Sequence, residues 1–426
     1  MKLFLYRLFA FLSKPFVRLV LFRRRLKGLE SPDKSRRQER FGHATAARPK
    51  GRVFWFNAAS VGESNSIVPV IDRILEKYPD VTALVTTTTV TGAESISTKL
   101  AGKRGIHQFL PVDRRAYVDR FLGYWKPALG FFVDSDFWPN LMLSAKSLGV
   151  PLVLLNGRVS DRSFNRWMLH SPMIRKLMSA FIYVFGKSDD DRRKLLAMGA
   201  PVAVSVGNLK YGVPALSCDP GELAKMQASV GGRRTWVASS THEGEEVLVA
   251  SSHRAVMRSF PDALLVAAPR HPARGTQLKA LFEAEGFKTA LRSAGDKIDA
   301  DTNVYVADTM GELGLFYTLS DIAFVGGSLL DTLSGHNPME PARLKCAVLS
   351  GKNVSSFLET YDILVREEAV VMAEDEVDLG VHVVELLNDA ELLARYSGKA
   401  YEVAEREAAV LDRTMDKLQS ILDSVK

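Results

Sequence analysis

Short runs of four to six mostly apolar residues recur along this chain, separated by stretches with helical spacing. In the first half they are residues 53–57, 83–87, 106–109, 130–133, 152–155, 182–185 and 202–206. A second series follows at 236–239, 264–268, 304–307, 322–325, 347–349 and 370–373. A strand covered on one face alternates apolar with polar residues, whereas one covered on both faces reads as apolar throughout. Parallel sheets with helices on each side are therefore expected. The stretch 211–232 carries Pro214, Pro220, Gly221, Gly231 and Gly232 and reads as a linker. At 426 residues the chain is long enough for two domains. The pattern predicts two doubly wound α/β domains facing each other across a cleft, residues 28–212 and 213–426. Ligands then belong at the carboxyl ends of the strands.

Charge narrows the partners. The whole chain has a net charge of +7, but residues 1–27 hold eight basic residues and no acid. The remainder is close to neutral, which argues against a nucleic-acid surface spread over the body. The first 27 residues are apolar but interrupted by basic residues: Arg7, Lys14, Arg18 and Arg25 share one helical face, with Leu5, Phe9, Leu12, Phe16 and Leu19 elsewhere on the wheel. An amphipathic helix lying in a membrane interface fits this, with Arg23, Arg24 and Arg25 facing anionic headgroups. A helix packed on the protein's own core and a tilted span with snorkelling ends are the alternatives. Two cysteines, Cys218 and Cys346, make no disulfide framework, and cytosolic placement is expected. His242-Glu243-Gly244-Glu245-Glu246 lacks the second histidine of a zinc-protease helix, so no protein-bound catalytic metal is expected.

Several loops place chemistry after the predicted strands. Glu63 follows the first, where a carboxylate can accept a proton from a substrate hydroxyl. Ser60-x-x-Glu63 is equally a capping box before an apolar run, and both readings stand. Asp134 and Asp136 follow the strand 130–133, and alternate residues of an extended chain share a face. Lys210 lies just before the linker, where a cation can meet a leaving phosphate. In the second half, Pro269 and Arg270 follow the strand 264–268, and an arginine there can clamp phosphate. Thr309-Met310-Gly311-Glu312 follows the strand 304–307. After the strand 322–325, Gly326-Gly327-Ser328 lets backbone amides approach a ligand, and a helix is expected to open at Asn337-Pro338-Met339-Glu340. Asn337 and Glu340 also have capping-box spacing. No Walker A and no GxGxxG sequence occurs, which disfavours ATP hydrolysis and dinucleotide redox chemistry.

Taken together, these segments resemble one family. Ala59-Ser60-Val61-Gly62-Glu63 is similar to its S-V-G-E signature, and Asp134-Ser135-Asp136-Phe137-Trp138-Pro139-Asn140 to its E-T-E-x-W-P-N. Co-linear matches follow at Asn156 to Ser160, Ser240 to Glu245, Pro269 to Pro272, Asp308 to Leu313, and Gly326 to Ser328 with Gly335 to Glu340. The family is that of the Kdo transferases, which move 3-deoxy-D-manno-octulosonic acid (Kdo) from CMP-Kdo to a lipid A precursor. The resemblance implies a two-domain GT-B fold, inversion at the anomeric carbon, no cofactor beyond the CMP-Kdo donor, and attachment to the cytoplasmic face of the inner membrane. By motif position, Glu63 corresponds to the catalytic base, and Asp134 and Lys210 to residues that stabilise the transition state. Pro269-Arg270, Met310-Gly311-Glu312 and Asn337-Pro338-Met339-Glu340 correspond to CMP-binding segments. Residues 1–27 would then be the anchor, 28–212 the acceptor domain and 213–426 the donor domain. The chain departs from the family pattern at Asp134 and Asp136, where Glu is usual, at Asn57, where His is usual, and at Gly212, where an acid is usual. The nearest rival is a GT-B enzyme that uses or epimerises another sugar nucleotide.

Overall fold

The computed structural model of the chain describes Tyr6 and residues 14–425. It divides into two compact units, Met1–Val213 with Glu407–Lys426, and Pro214–Arg406.

The first unit is built on seven strands: β1 (Arg52–Asn57), β2 (Val81–Thr87), β3 (Gly105–Phe109), β4 (Leu129–Val133), β5 (Leu152–Gly157), β6 (Phe181–Gly186) and β7 (Ala203–Ser205). They form one parallel sheet in the order β3-β2-β1-β4-β5-β6-β7. The apolar runs are explained by what covers each face. In β1, Val53 and Trp55 join a core with Phe121, Trp125 and Leu141, while Phe54 and Phe56 join another with Ile67, Val70 and Ile74 of the helix Val61–Lys77. Successive side chains point to opposite faces, so a strand covered on both sides is apolar at most positions.

The second unit repeats the plan with β8 (Thr235–Thr241), β9 (Leu264–Pro269), β10 (Thr289–Leu291), β11 (Val304–Val306), β12 (Ile322–Val325), β13 (Ala347–Gly351) and β14 (Val371–Ala373). Its parallel order is β10-β11-β9-β8-β12-β13-β14. Trp236 and Ala238 face one core, and Val237 faces the other.

Three expectations need correction. The chain does not stay in the second unit to its end: the helix Val410–Ser424 buries Val410, Leu418 and Leu422 in the first unit's core. The division 28–212 and 213–426 thus holds at the crossing near Val213 but not for the last twenty residues. The linker is also shorter than 211–232, because Pro220–Val230 is a helix whose Met226 and Val230 are buried. Asp219 caps it, accepting from the Glu222 N–H at 2.8 Å, and Pro220 takes a first-turn position where its missing N–H costs nothing. Finally, β10 lies outside every predicted run. It has only three residues, between Lys288 and Arg292, and is held by pairing with β11.

At the N-terminus, Lys14–Leu26 is helical. Leu5, Arg7, Phe9 and Leu12 of the expected amphipathic pattern lie outside the described residues. Among the described residues no helix is long and apolar enough to cross a membrane.

Candidate active site

In the first sheet β1 lies between β2 and β4, so the chain order reverses between β1 and β4. The carboxyl ends at such a switch point leave a crevice for ligands. Glu63 and Asp134 follow those two strands.

Ser60 caps the helix Val61–Lys77 from an extended backbone (φ −120°, ψ 169°). Its hydroxyl accepts from the Glu63 N–H at 3.4 Å and donates to the Glu63 carboxylate at 2.8 Å. The Ala59 N–H donates to the other carboxylate oxygen at 2.7 Å. The capping reading of Glu63 is therefore met, and it also fixes where a half-buried carboxylate stands at the end of β1.

Asp134 leaves β4 with a left-handed φ of 59°. That turn interrupts the alternation of an extended chain, so Asp134 and Asp136 do not share a role. Asp136 instead accepts from the Trp138 indole N–H at 2.7 Å. Burial, and then the neighbouring Glu63 carboxylate, push the Asp134 acid above its ordinary range, while Arg158 and Lys210 pull it down. These four side chains thus form one electrostatic neighbourhood. Lys210 reaches it from the short turn Leu209–Gly212. Asn208 accepts from the Lys210 N–H at 3.1 Å, and Leu209 is buried in the core, with its N–H held by the Asn156 side chain at 3.0 Å. Lys210 is left exposed. Gly212 has a local reason as well: a Cβ there would stand 3.1 Å from that of Leu411 in the C-terminal helix. Asn57 is buried, accepts from the Thr86 hydroxyl at 3.1 Å, and leaves its Nδ2 without a partner.

The second unit reverses strand order between β8 and β12. Here the Gly-Gly-Ser loop does something other than expected. Its N–H groups are aimed at a carboxylate of the protein itself: Glu245 accepts from Gly327 at 2.7 Å, Ser328 at 2.9 Å and Leu329 at 3.0 Å. The His242 N–H adds a fourth donor at 3.2 Å. Glu245 is fully buried and occupies the place where that loop was expected to meet a ligand. The loop is therefore an internal anchor that fixes the end of β12 against the start of the helix Glu245–Ser259, which follows β8.

The groups left facing outward are different ones. Arg270 is exposed just after β9, its N–H bonded to the Thr241 carbonyl at 2.9 Å, with Pro269 the buried last residue of the strand. His242 and His336 stack with ring centroids 5.2 Å apart and share an Nε2···Nε2 hydrogen bond of 2.9 Å, and His271 meets His242 edge-on. Burial, then the charges of His242, Arg270 and His271, hold His336 down to about 4. Asn337 accepts from the Met339 N–H and donates to Glu340, whose acid burial pushes up and Arg270 pulls down. The helix expected to open here is a single turn, Met339–Ala342, with Pro338 just before it, too short for its dipole to count for much. Arg292 holds the Glu312 carboxylate with two hydrogen bonds of 2.9 and 2.5 Å. In the same loop Gly311 has a left-handed φ of 82° and Met310 is 77% exposed.

Pro269, Arg270, Asn337, Pro338, Met339 and Glu340 thus lie around one set of charges, with Met310, Gly311 and Glu312 on the loop after β11. Glu245 and Arg292 were not foreseen as anchors. Glu245 is four residues beyond the end of β8, a spacing that also suits a free helix-start acid. Among the described residues no cluster of His, Cys, Asp or Glu could hold a metal ion.

Two doubly wound units with charged rims define a class. The fold is shared with the UDP-GlcNAc 2-epimerase of Neisseria meningitidis, at a TM-score of 0.58 and 11% identity, over 86% of this chain and 100% of that one. The sequence narrows the class. The family model described as 3-deoxy-D-manno-octulosonic-acid transferase (kdotransferase) matches residues 35–213. The chain is 36% identical to the "Probable 3-deoxy-D-manno-octulosonic acid transferase, mitochondrial" of Arabidopsis thaliana, over 98% of this chain and 96% of that protein. It is 32% identical to the 3-deoxy-D-manno-octulosonic acid transferase of Haemophilus influenzae, over 93% and 94% of the two chains. The chain belongs to the family of 3-deoxy-D-manno-octulosonic acid transferases, and is a glycosyltransferase.

Proposed function

We propose that this protein transfers Kdo from CMP-Kdo to a lipid A precursor, with inversion at the anomeric carbon, at the cytoplasmic face of the inner membrane. The observation that carries the mechanism is the grouping of Glu63, Asp134 and Lys210 at the carboxyl end of the first sheet. A sugar hydroxyl is a poor nucleophile until its proton is being removed. Glu63 takes that proton as the acceptor oxygen bonds to the anomeric carbon. The bond from that carbon to the phosphate breaks, and CMP leaves with the electron pair. Asp134 and Lys210 set the charge around the developing transition state, the lysine favouring the negative leaving group. The donor's phosphate is received by Arg270, beside His242, His271 and His336, and Pro269, Met310, Gly311, Glu312 and the Asn337-to-Glu340 turn frame the nucleotide.

The membrane part of the reading rests on the helix Lys14–Leu26. Phe16, Leu19 and Phe22 are 60%, 47% and 54% exposed, and Arg18, Arg23 and Arg25 are exposed among them. An apolar surface with interspersed cations suits the interface of an anionic bilayer. The fold likeness to an epimerase keeps a second reading open, an enzyme of the same fold acting on another sugar nucleotide. Calorimetric titration separates the two. CMP should bind and UDP should not, and Arg270→Ala should weaken CMP binding by about 1.5–3 kcal/mol. Binding of UDP in preference to CMP would favour the second reading.

A further inference from the structure

Within the first unit, a cavity of about 430 Å³ lies between the helix Lys14–Leu26 and the carboxyl end of the sheet. Its apolar wall is made by Val20 and Leu21 of that helix, Leu110, Pro111 and Val112 after β3, and Trp138. The charged side chains on the wall are all engaged within the protein. Arg24 and Arg40 both hold Glu30, at 2.7 and 3.1 Å. Asp113 accepts from the Tyr6 hydroxyl at 2.6 Å and from the backbone N–H groups of Asn140 and Leu141 at 3.0 and 2.7 Å. Asp136 accepts from the Trp138 indole. Each charged side chain on the described wall already has a hydrogen-bond partner within the protein, whereas an apolar occupant gains by leaving water.

Two further facts select the occupant. Ala59 lines the cavity, and its N–H is one of the two donors that hold the Glu63 carboxylate. The cavity therefore reaches a residue hydrogen-bonded to the group that takes the acceptor's proton. At the helix side, Val20 lines the cavity and is still 37% exposed, beside the outward Phe16 and Leu19. The cavity wall is thus continuous with the apolar surface assigned to the membrane.

We propose that this cavity takes one acyl chain of the amphiphilic acceptor, laid against the helix Lys14–Leu26, so that the acceptor hydroxyl is delivered to Glu63. The inference rests on the acceptor being a lipid, as proposed above. Its test uses the full chain and two readouts, because binding and transfer can fail separately. The first is displacement-sensitive fluorescence of cis-parinaric acid, and the second is transfer kinetics with an acylated acceptor and with the same acceptor stripped of its acyl chains. Val112→Trp fills the cavity from the body side and leaves the membrane-facing helix untouched. Losing the burial of a couple of methylenes should weaken parinaric acid binding roughly tenfold. The KM for the acylated acceptor should rise by a similar factor, with kcat, the donor KM and all constants for the deacylated acceptor unchanged. If Val112→Trp lowers the melting temperature, Leu21→Trp fills the same space from the opposite wall and serves in its place. Unchanged probe affinity and unchanged KM in a folded filled variant would overturn the inference, as would equal damage to both acceptors. Probe binding that the filled variant abolishes, in a wild-type protein that glycosylates no lipid, would keep the acyl site and reject the functional reading instead.

Discussion

Glu63 and Asp134 stand close enough to act on each other, yet a substitution at each should fail differently. In Glu63→Gln the base is lost, and turnover should fall by roughly 10²–10⁴-fold while CMP affinity holds. The amide keeps one oxygen to accept from Ala59 or Ser60 but not a second, so stability should fall by only about 1 kcal/mol. Near-normal transfer in that variant, measured against a melting curve that proves it folded, would leave Glu63 as a helix cap alone. Asp134→Asn should lose activity and gain stability. The wild-type acid is raised in the folded state, so between its unfolded pKa and that raised value the folded chain binds more protons than the unfolded one. Stability therefore falls as pH rises through the window, and the variant escapes the loss. The stabilisation of Asp134→Asn should be absent near pH ~3 and full at neutral pH, by thermal melts across that range. A variant less stable than wild type at neutral pH would mean that Asp134 is a structural anchor.

At the scale of elements, the N-terminal helix is the one whose role is open to a direct charge test. Of the three consecutive arginines Arg24 is tied to Glu30, so Arg23 and Arg25, exposed like Arg18, are the two of that run left to meet lipid. Reversing both to Glu should weaken partitioning onto anionic liposomes and make it less salt-sensitive, each arginine being worth about 1 kcal/mol near such a surface. Partitioning that survives the reversal would assign attachment to the apolar side chains. The strands were legible because a doubly covered strand is apolar along most of its length, as at Phe54, Trp55 and Phe56. The helix Pro220–Val230 was hidden by its own start signal: Asp219-Pro220-Gly221 reads as a turn until Glu222 is counted as the third helical residue. The Gly326-Gly327-Ser328 loop was misread for a deeper reason. Backbone amides that suit a phosphate suit a carboxylate equally, and nothing in the local sequence says that Glu245, from a different strand's end, will fill them.

The whole molecule joins its ends in one unit, and this has a measurable consequence. Leu418 is fully buried against the first sheet although it lies near the end of the chain. Leu418→Ala should cost about 2–5 kcal/mol and speed amide exchange in β1 and β2, leaving β8 and β12 protected. Faster exchange in the second sheet alone would contradict the assignment of that helix. The central claim concerns chemistry rather than folding, and one measurement reaches it most directly. Purified protein is incubated with CMP-Kdo and a tetra-acylated lipid A precursor, and the lipid is read by mass spectrometry while released CMP is followed. The account predicts a lipid heavier by whole Kdo units, CMP released in equal amount, and both products formed roughly 10²–10⁴-fold more slowly by Glu63→Gln. CMP released without any change in the lipid, or a lipid modified only when another sugar nucleotide is supplied, would contradict it.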